Sequence, residues 1–120
     1  MIEEDYVSFE TARLLKEKGF NELCSKYYIL YYGGGYCLVN RGTAAHDSNC
    51  IDVPTIQMVM KWLREIYKLH ITVYSCSQES WAYRITKPHQ KLEDGAYAGD
   101  YASYEETCEA AIKYCLENLI

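Results

Sequence analysis

Residues 103–120 constrain the fold most strongly, because they carry a complete set of helix signals. Ser103 is followed three positions later by Glu106, the capping-box pattern that satisfies backbone N–H groups at a helix start. Apolar residues then recur at helical spacing, at Cys108, Ala111, Ile112, Cys115 and Leu119. We expect the carboxylates of Glu105, Glu106 and Glu109 to serve the N-terminus of this helix. The pattern predicts a docked terminal helix and one globular domain over residues 1–120.

Two earlier segments also carry helix start and stop signals. Ser8 is a suitable N-cap for a helix over residues 9–18, and Gly19 can end that helix in a Schellman motif. Residues 52–54 end in proline and predict the start of a second helix that runs to about Leu69. The apolar side chains of this second helix span roughly 200° of its circumference, so we expect a central position.

Between the helices, the pattern indicates two hairpins. Residues 26–32 are aromatic and β-branched, three glycines interrupt them, and residues 36–39 can return as the second arm. Residues 70–75 and 80–86 have the same character and are joined by a short connection. The order α-ββ-α-ββ-α predicts an α+β fold with three helices packed on an antiparallel sheet built from the two hairpins.

Composition places the chain among globular proteins and disfavours two functional classes. Hydrophobic residues make up 49% and charged residues 24%, which is the average for folded domains. The N-terminus is acidic and no apolar run is long enough to span a bilayer, so we expect a cytoplasmic protein without a membrane partner. A net charge of −5 makes a nucleic-acid partner less favoured, because phosphate binding requires clustered basic residues.

Six cysteines without a Cys-x-x-Cys pair predict free thiols, no metal and no cofactor. His46, Asp47 and Cys50 come closest to catalytic chemistry, because a thiolate nucleophile needs a nearby base and an orienting group. However, such triads are usually assembled across a fold rather than within one short loop. We therefore select no catalytic residue, rank a cysteine-dependent enzyme third among the functions, and favour a non-enzymatic protein.

The main alternative function is single-stranded nucleic-acid binding through helix 2 and the strand tyrosines. Lys61, Arg64 and Lys68 recur on one face of that helix, beside aromatic-rich strands. Aromatic platforms next to basic side chains can bind single strands. A solvated helix face is the competing interpretation of the same three charges.

The favoured function is a small intracellular binding or regulatory protein with an unknown protein partner. Tyrosine accounts for 13 of the 120 residues, and tyrosine is enriched at interfaces as well as in strands. Tyr97, Tyr101 and Tyr104 lie in or beside a segment rich in Gly, Ala and Asp, a composition typical of binding loops. These tyrosines are the predicted binding surface, and packing against the core is the competing interpretation.

A homodimer is a further expectation, because helix 2 is apolar over so wide an arc. Met58, Trp62 and Leu69 lie at one margin of that arc. The first helix is short, so we expect a second copy of the chain to cover this margin or the nearby tyrosines. Closed twofold symmetry is the commonest arrangement for such an assembly.

Four segments resemble a small family of gut Bacteroidetes and their phages or integrated elements. They are residues 11–20 (TARLLKEKGF), 54–65 (PTIQMVMKWLRE), 81–83 (WAY) and 109–117 (EAAIKYCLE). The resemblance covers about half the chain, mainly the helices. It implies a bacterial or phage accessory protein and implies no activity, because no function or catalytic residue is assigned to that family.

Overall fold

The computed structural model describes residues 4–41, 50–77, 79–88 and 96–120, with backbone alone for residues 96–98. The helices are α1 (Phe9–Glu17), α2 (Ile56–Tyr67) and α3 (Tyr104–Tyr114), and α3 continues into a π-helical turn, Cys115–Leu119. The strands are β1 (Lys26–Leu30), β2 (Tyr36–Asn40), β3 (Cys50–Val53), β4 (His70–Ser77), β5 (Ser80–Thr86) and β6 (Ala96–Tyr101).

The α+β class and the three helices are confirmed, but the strands form two antiparallel sheets instead of one. The first sheet has the order β2-β1-β3 and the second has the order β4-β5-β6. Each predicted hairpin gains a third strand, because β3 pairs with the free edge of β1 and β6 pairs with the free edge of β5. The predicted order α-ββ-α-ββ-α is therefore wrong in detail.

The predicted start of α2 is also wrong. Residues 52–54 do not open the helix, because β3 extends to Val53 and the carbonyl of Pro54 accepts a hydrogen bond from the Val7 N–H at 3.2 Å. The N-cap is Thr55, whose hydroxyl accepts the Met58 N–H. At the other end, Lys68 adopts a left-handed conformation with φ of 60°, and the chain turns directly into β4.

The cap signals of α1 and α3 are confirmed. Ser8 accepts the Thr11 N–H, and Ser103 accepts the Glu106 N–H at 3.1 Å. Gly19 has φ of 93°, and the Phe20 N–H reaches back to the Leu15 carbonyl at 2.9 Å, as a Schellman motif requires.

Glu109 serves a different helix from the one that its position in the sequence predicts. It lies on α3, yet its carboxylate accepts the Ser8 N–H at 2.9 Å and the Thr11 hydroxyl at 2.6 Å. Both donors belong to the N-terminal turn of α1. The carboxylate therefore stabilises the start of α1 and fixes α1 against α3.

One core joins the three helices to the two sheets. The helix α3 crosses the second sheet and contacts α1 and α2, while α1 also packs on β3. Fully buried side chains come from every layer and include Leu15, Val53, Val59, Leu63, Leu69, Ile112 and Leu116. Within the described residues, the β1–β2 hairpin contacts α1 through the ring of Phe9, which meets Tyr28 and Tyr36.

Candidate protein-binding surface

The hairpin between β1 and β2 has a tight glycine turn. The Tyr31 N–H donates to the Gly35 carbonyl at 2.8 Å, and the Gly34 N–H donates to the Tyr31 carbonyl at 3.3 Å. Gly33 and Gly34 have φ of 97° and 96°, which a side chain disfavours strongly. The glycines therefore hold Tyr32 at the tip of the hairpin.

Large apolar side chains around this turn are exposed. Tyr32 is fully exposed, and Tyr31 and Tyr36 each expose about half of their surface. Leu30 and Leu38 are also exposed, at 41% and 44%. We call these five residues the hairpin surface. Exposed leucines are ordinary when scattered singly, but adjacent apolar side chains in one patch mark interaction sites.

The strand that borders this surface lacks the features that normally protect a sheet edge. In the described part of the chain, β2 pairs with β1 alone, and four of its five residues are exposed. No charged residue lies between Lys26 and Arg41. Natural edge strands usually carry charges, proline or bulges that block pairing with another chain. Among the described residues, the outer edge of β2 has no strand partner, which is the condition that strand addition requires.

One face of the hairpin packs on α1 through aromatic rings. The ring of Phe9, on α1, stacks on Tyr36 with centroids 3.9 Å apart and planes within 2°. Tyr28 meets both rings edge to face, at 5.2 Å from Phe9 and 5.3 Å from Tyr36. This cluster holds Tyr36, at the start of β2, against α1.

The far end of the hairpin is held by a buried ion pair. Arg41 follows β2 and pairs with Asp52 on β3, and both side chains are nearly inaccessible. The guanidinium also donates to the Cys24 carbonyl at 2.7 Å and lies over the Tyr27 ring at 4.7 Å. These contacts join β2 to β3 across β1, so the sheet is anchored at one end and exposed at the other.

The three tyrosines predicted as a binding surface lie elsewhere, on β6 and at the start of α3. Tyr97 pairs with Arg84 in the sheet register. Tyr101 is half-buried and stacks on Tyr83 at 5.9 Å. Tyr104 is half-buried, meets the Trp81 ring edge to face, and accepts a hydrogen bond from Gln57. The packing of Tyr101 and Tyr104 fits the competing interpretation of a structural role.

The basic residues of α2 are exposed, but the carboxylate of Glu65 lies among them. Lys61 lies 4.0 Å from Glu65, and the Lys68 ammonium donates to the Glu65 carbonyl at 3.1 Å. Arg64 is exposed on the same helix. The carboxylate of Glu65 reduces the positive potential that a phosphate backbone requires.

Cys50 does not lie in the loop where it was expected, because it is the first residue of β3. His46 and Asp47 lie outside the described residues. Burial raises the pKa of three other thiols, to about 12 for Cys24, about 11 for Cys108 and about 12 for Cys115, which makes them poor nucleophiles. Within the described ranges, no three His, Cys, Asp or Glu side chains converge on a possible metal position.

Comparison with protein-family models, with curated proteins and with solved structures found no match to this chain. None of the helices in the part of the chain that the structure describes is long and apolar enough to cross a membrane. The resemblance to a family of gut Bacteroidetes and their phages therefore stays a prediction.

Reasoning from the sequence did not select the hairpin surface, because it placed the predicted binding surface at Tyr97, Tyr101 and Tyr104 and considered the strand tyrosines only as a platform for nucleic acid. The available signal was the absence of charge from residues 27–40, combined with three consecutive glycines. A strand with one solvated face normally alternates apolar and polar residues, whereas β1 and β2 are apolar at almost every position. This excess of apolar residues indicates that more surface is apolar than the core can bury.

Proposed function

We propose that this protein is a non-enzymatic binding protein that docks a protein partner through the hairpin surface. The observation that carries the proposal is the exposure of three tyrosines and two leucines on a charge-free hairpin with an open strand edge. Tyrosine suits such a role because it provides a large contact area at a low cost in conformational entropy.

The chemistry of the surface defines the class of partner. A complementary partner presents an extended, uncharged segment that can pair with β2 and cover Leu30, Tyr36 and Leu38 with apolar side chains. Backbone hydrogen bonds then supply affinity, and alternate side chains supply specificity. Burying this patch is favourable by about 25 cal/mol for each Å² of apolar area, before the costs of association are subtracted. A cytoplasmic accessory role in a bacterium or phage is consistent with this proposal.

The two other functions have weaker support. For nucleic-acid binding, the basic face of α2 contains a carboxylate at Glu65 that pairs with Lys61. For a cysteine-dependent enzyme, the buried thiols have raised pKa values, and Cys37 and Cys76 lie on exposed strand surface.

A comparative affinity purification from cells of the native host tests the proposal. The parent protein is compared with the double variant Tyr32→Ser, Leu38→Ser and with the control Tyr114→Ser, which alters an exposed tyrosine on α3. We expect a host protein that is captured by the parent and the control and is reduced at least tenfold with the double variant. Titration of that purified host protein with each of the three proteins should show tight binding by the parent and the control and weak binding by the double variant. Equal capture by all three proteins would exclude the hairpin surface as the docking site.

A further inference from the structure

A second apolar area lies on α2, on a different part of the molecule from the hairpin. Met58, Trp62 and Ile66 follow one another at intervals of four residues, so they form a continuous ridge along the helix. Ile66 is 60% exposed and Met58 is 39% exposed, and Leu23 beside them is 56% exposed. We call these four residues the α2 face. Leu69, which the sequence placed in this margin, is instead buried within the chain.

A shallow cleft with a volume of about 280 Å³ lies beside this ridge. Trp62, Met58 and Leu23 line it, and its exposed charged rim carries Glu22, Lys61 and Glu65. The Trp62 ring is held in place because Phe20 and Tyr67 meet it edge to face, at 5.3 Å and 5.2 Å. The α2 face therefore combines a fixed concave part with the protruding side chain of Ile66.

We propose that the α2 face binds the α2 face of a second copy of this chain, forming a twofold dimer. In an antiparallel arrangement centred on Trp62, Ile66 of each copy meets Met58 of the other. Ridges of residues four apart interdigitate at a crossing angle of about −50°, the commonest class of helix packing. In this arrangement the protruding residue of each copy packs into the cleft of the other. A twofold interface requires such a self-complementary surface.

Charge on the rim supports a second copy in preference to an unrelated partner. Lys61 and Glu65 lie on the same side of the ridge, 4.0 Å apart and both about two-thirds exposed, so their own ion pair is weak. In the antiparallel arrangement, Lys61 of one copy lies near Glu65 of the other, and the symmetry repeats the pair. At Lys61 and Glu65 the face is thus complementary in charge to itself, whereas a uniformly charged partner would meet repulsion at one of these two residues.

Light scattering over a range of protein concentrations, at low salt, tests this dimer. We expect a dimer at micromolar concentration and a shift to monomer in Ile66→Glu, with the dissociation constant raised at least a hundredfold because an unpaired charge is buried. Arg64→Gln lowers the charge by the same one unit on the opposite side of α2 and should leave the dimer intact. A monomeric parent protein at about 100 µM would overturn the proposal, and so would an Ile66→Glu variant that still dimerises.

Exchanging the charges of Lys61 and Glu65 distinguishes this dimer interface from any other mode of association. Lys61→Glu and Glu65→Lys should each weaken the dimer by about tenfold, since each creates two like-charge pairs across the twofold axis. The double exchange restores opposite charges and should recover the affinity of the parent. Additive weakening in the double variant would contradict the pairing, as would loss of the dimer on altering Tyr32 and Leu38 of the hairpin instead. Circular dichroism confirms that each variant is folded.

Discussion

At the scale of single residues, Glu109 shows how one side chain joins two helices that are far apart in sequence. Its carboxylate accepts hydrogen bonds from the Ser8 backbone and the Thr11 hydroxyl, and Thr11 is fully buried. Removing the carboxylate leaves the Thr11 hydroxyl with only the Ser8 side chain as a hydrogen-bonding neighbour. Buried polar groups that lose a charged partner are costly.

Glu109→Ala should therefore lower the free energy of unfolding by about 1.5–3 kcal/mol, the range for hydrogen bonds to charged groups. The matched control is Glu117→Ala, because Glu117 is an exposed carboxylate near the other end of the same helical segment. We expect the control to change stability by less than about 0.5 kcal/mol. Urea denaturation of the three proteins measures the difference, and equal midpoints for both variants would show that Glu109 does not stabilise α1.

The buried thiols predict how stability depends on pH. Their pKa values in the folded protein, about 12 for Cys24 and Cys115 and about 11 for Cys108, lie above the ordinary value of 9.0. Above pH 9 the unfolded chain loses these protons and the folded chain keeps them, so stability is full below pH 9 and falls as pH rises toward the folded values.

Each thiol should lower the free energy of unfolding by up to about 1.4 kcal/mol per pH unit in that window. Denaturation at pH 8, 9.5 and 10.5 measures the slope, and Cys115→Ala should make it less steep. Alkylation with iodoacetamide at pH 8 gives an independent measurement, in which exposed Cys37 and Cys76 react well before the three buried thiols. A stability that is constant up to pH 10.5 would contradict the burial of these groups.

At the scale of elements, the helices could be predicted and two of the strands could not. Local signals determine a helix, and Ser8, Gly19 and Ser103 have the caps that their sequence positions predict. The strand β3 has only four residues and ends beside Pro54, so its pairing with β1 depends on contacts distant in sequence. The strand β6 contains Gly99 and Asp100, which are typical of loops, and Asp100 has φ of 68° where the ladder with β5 is irregular.

The glycine turn of the first hairpin offers a prediction at this scale. Gly33→Ala should lower the free energy of unfolding by about 1 kcal/mol or more, because alanine is strained at φ of 97°. Gly35→Ala is the matched control, since Gly35 lacks a positive φ and an added Cβ would lie 3.7 Å from the Tyr31 ring, at ordinary contact distance. Thermal unfolding measures the stability of both variants. If Gly33→Ala is as stable as the control, the glycine turn does not hold Tyr32 in its position.

At the scale of the whole molecule, the chain has two apolar faces that its core does not cover. The three helices and two sheets enclose one core, and Trp62 packs against it, whereas the hairpin surface and the exposed residues Leu23, Met58 and Ile66 of the α2 face are not among the residues packed in it. The high tyrosine content of the sequence predicts an interaction protein. The position of the exposed hairpin surface could be found only from the structure. Ring contacts alone do not separate structural from exposed tyrosines, because Tyr36 stacks on Phe9 and still exposes about half of its surface.

Site-specific photo-crosslinking from the hairpin tip in cells of the native host tests the central claim most directly. A photoreactive phenylalanine replaces Tyr32 in one variant and Glu117, an exposed residue far from the hairpin in sequence, in another. We predict that position 32 crosslinks to one discrete protein in high yield and that position 117 does not. If the two positions give the same crosslinks, or if position 32 gives none, the hairpin surface is not a docking site for a protein partner.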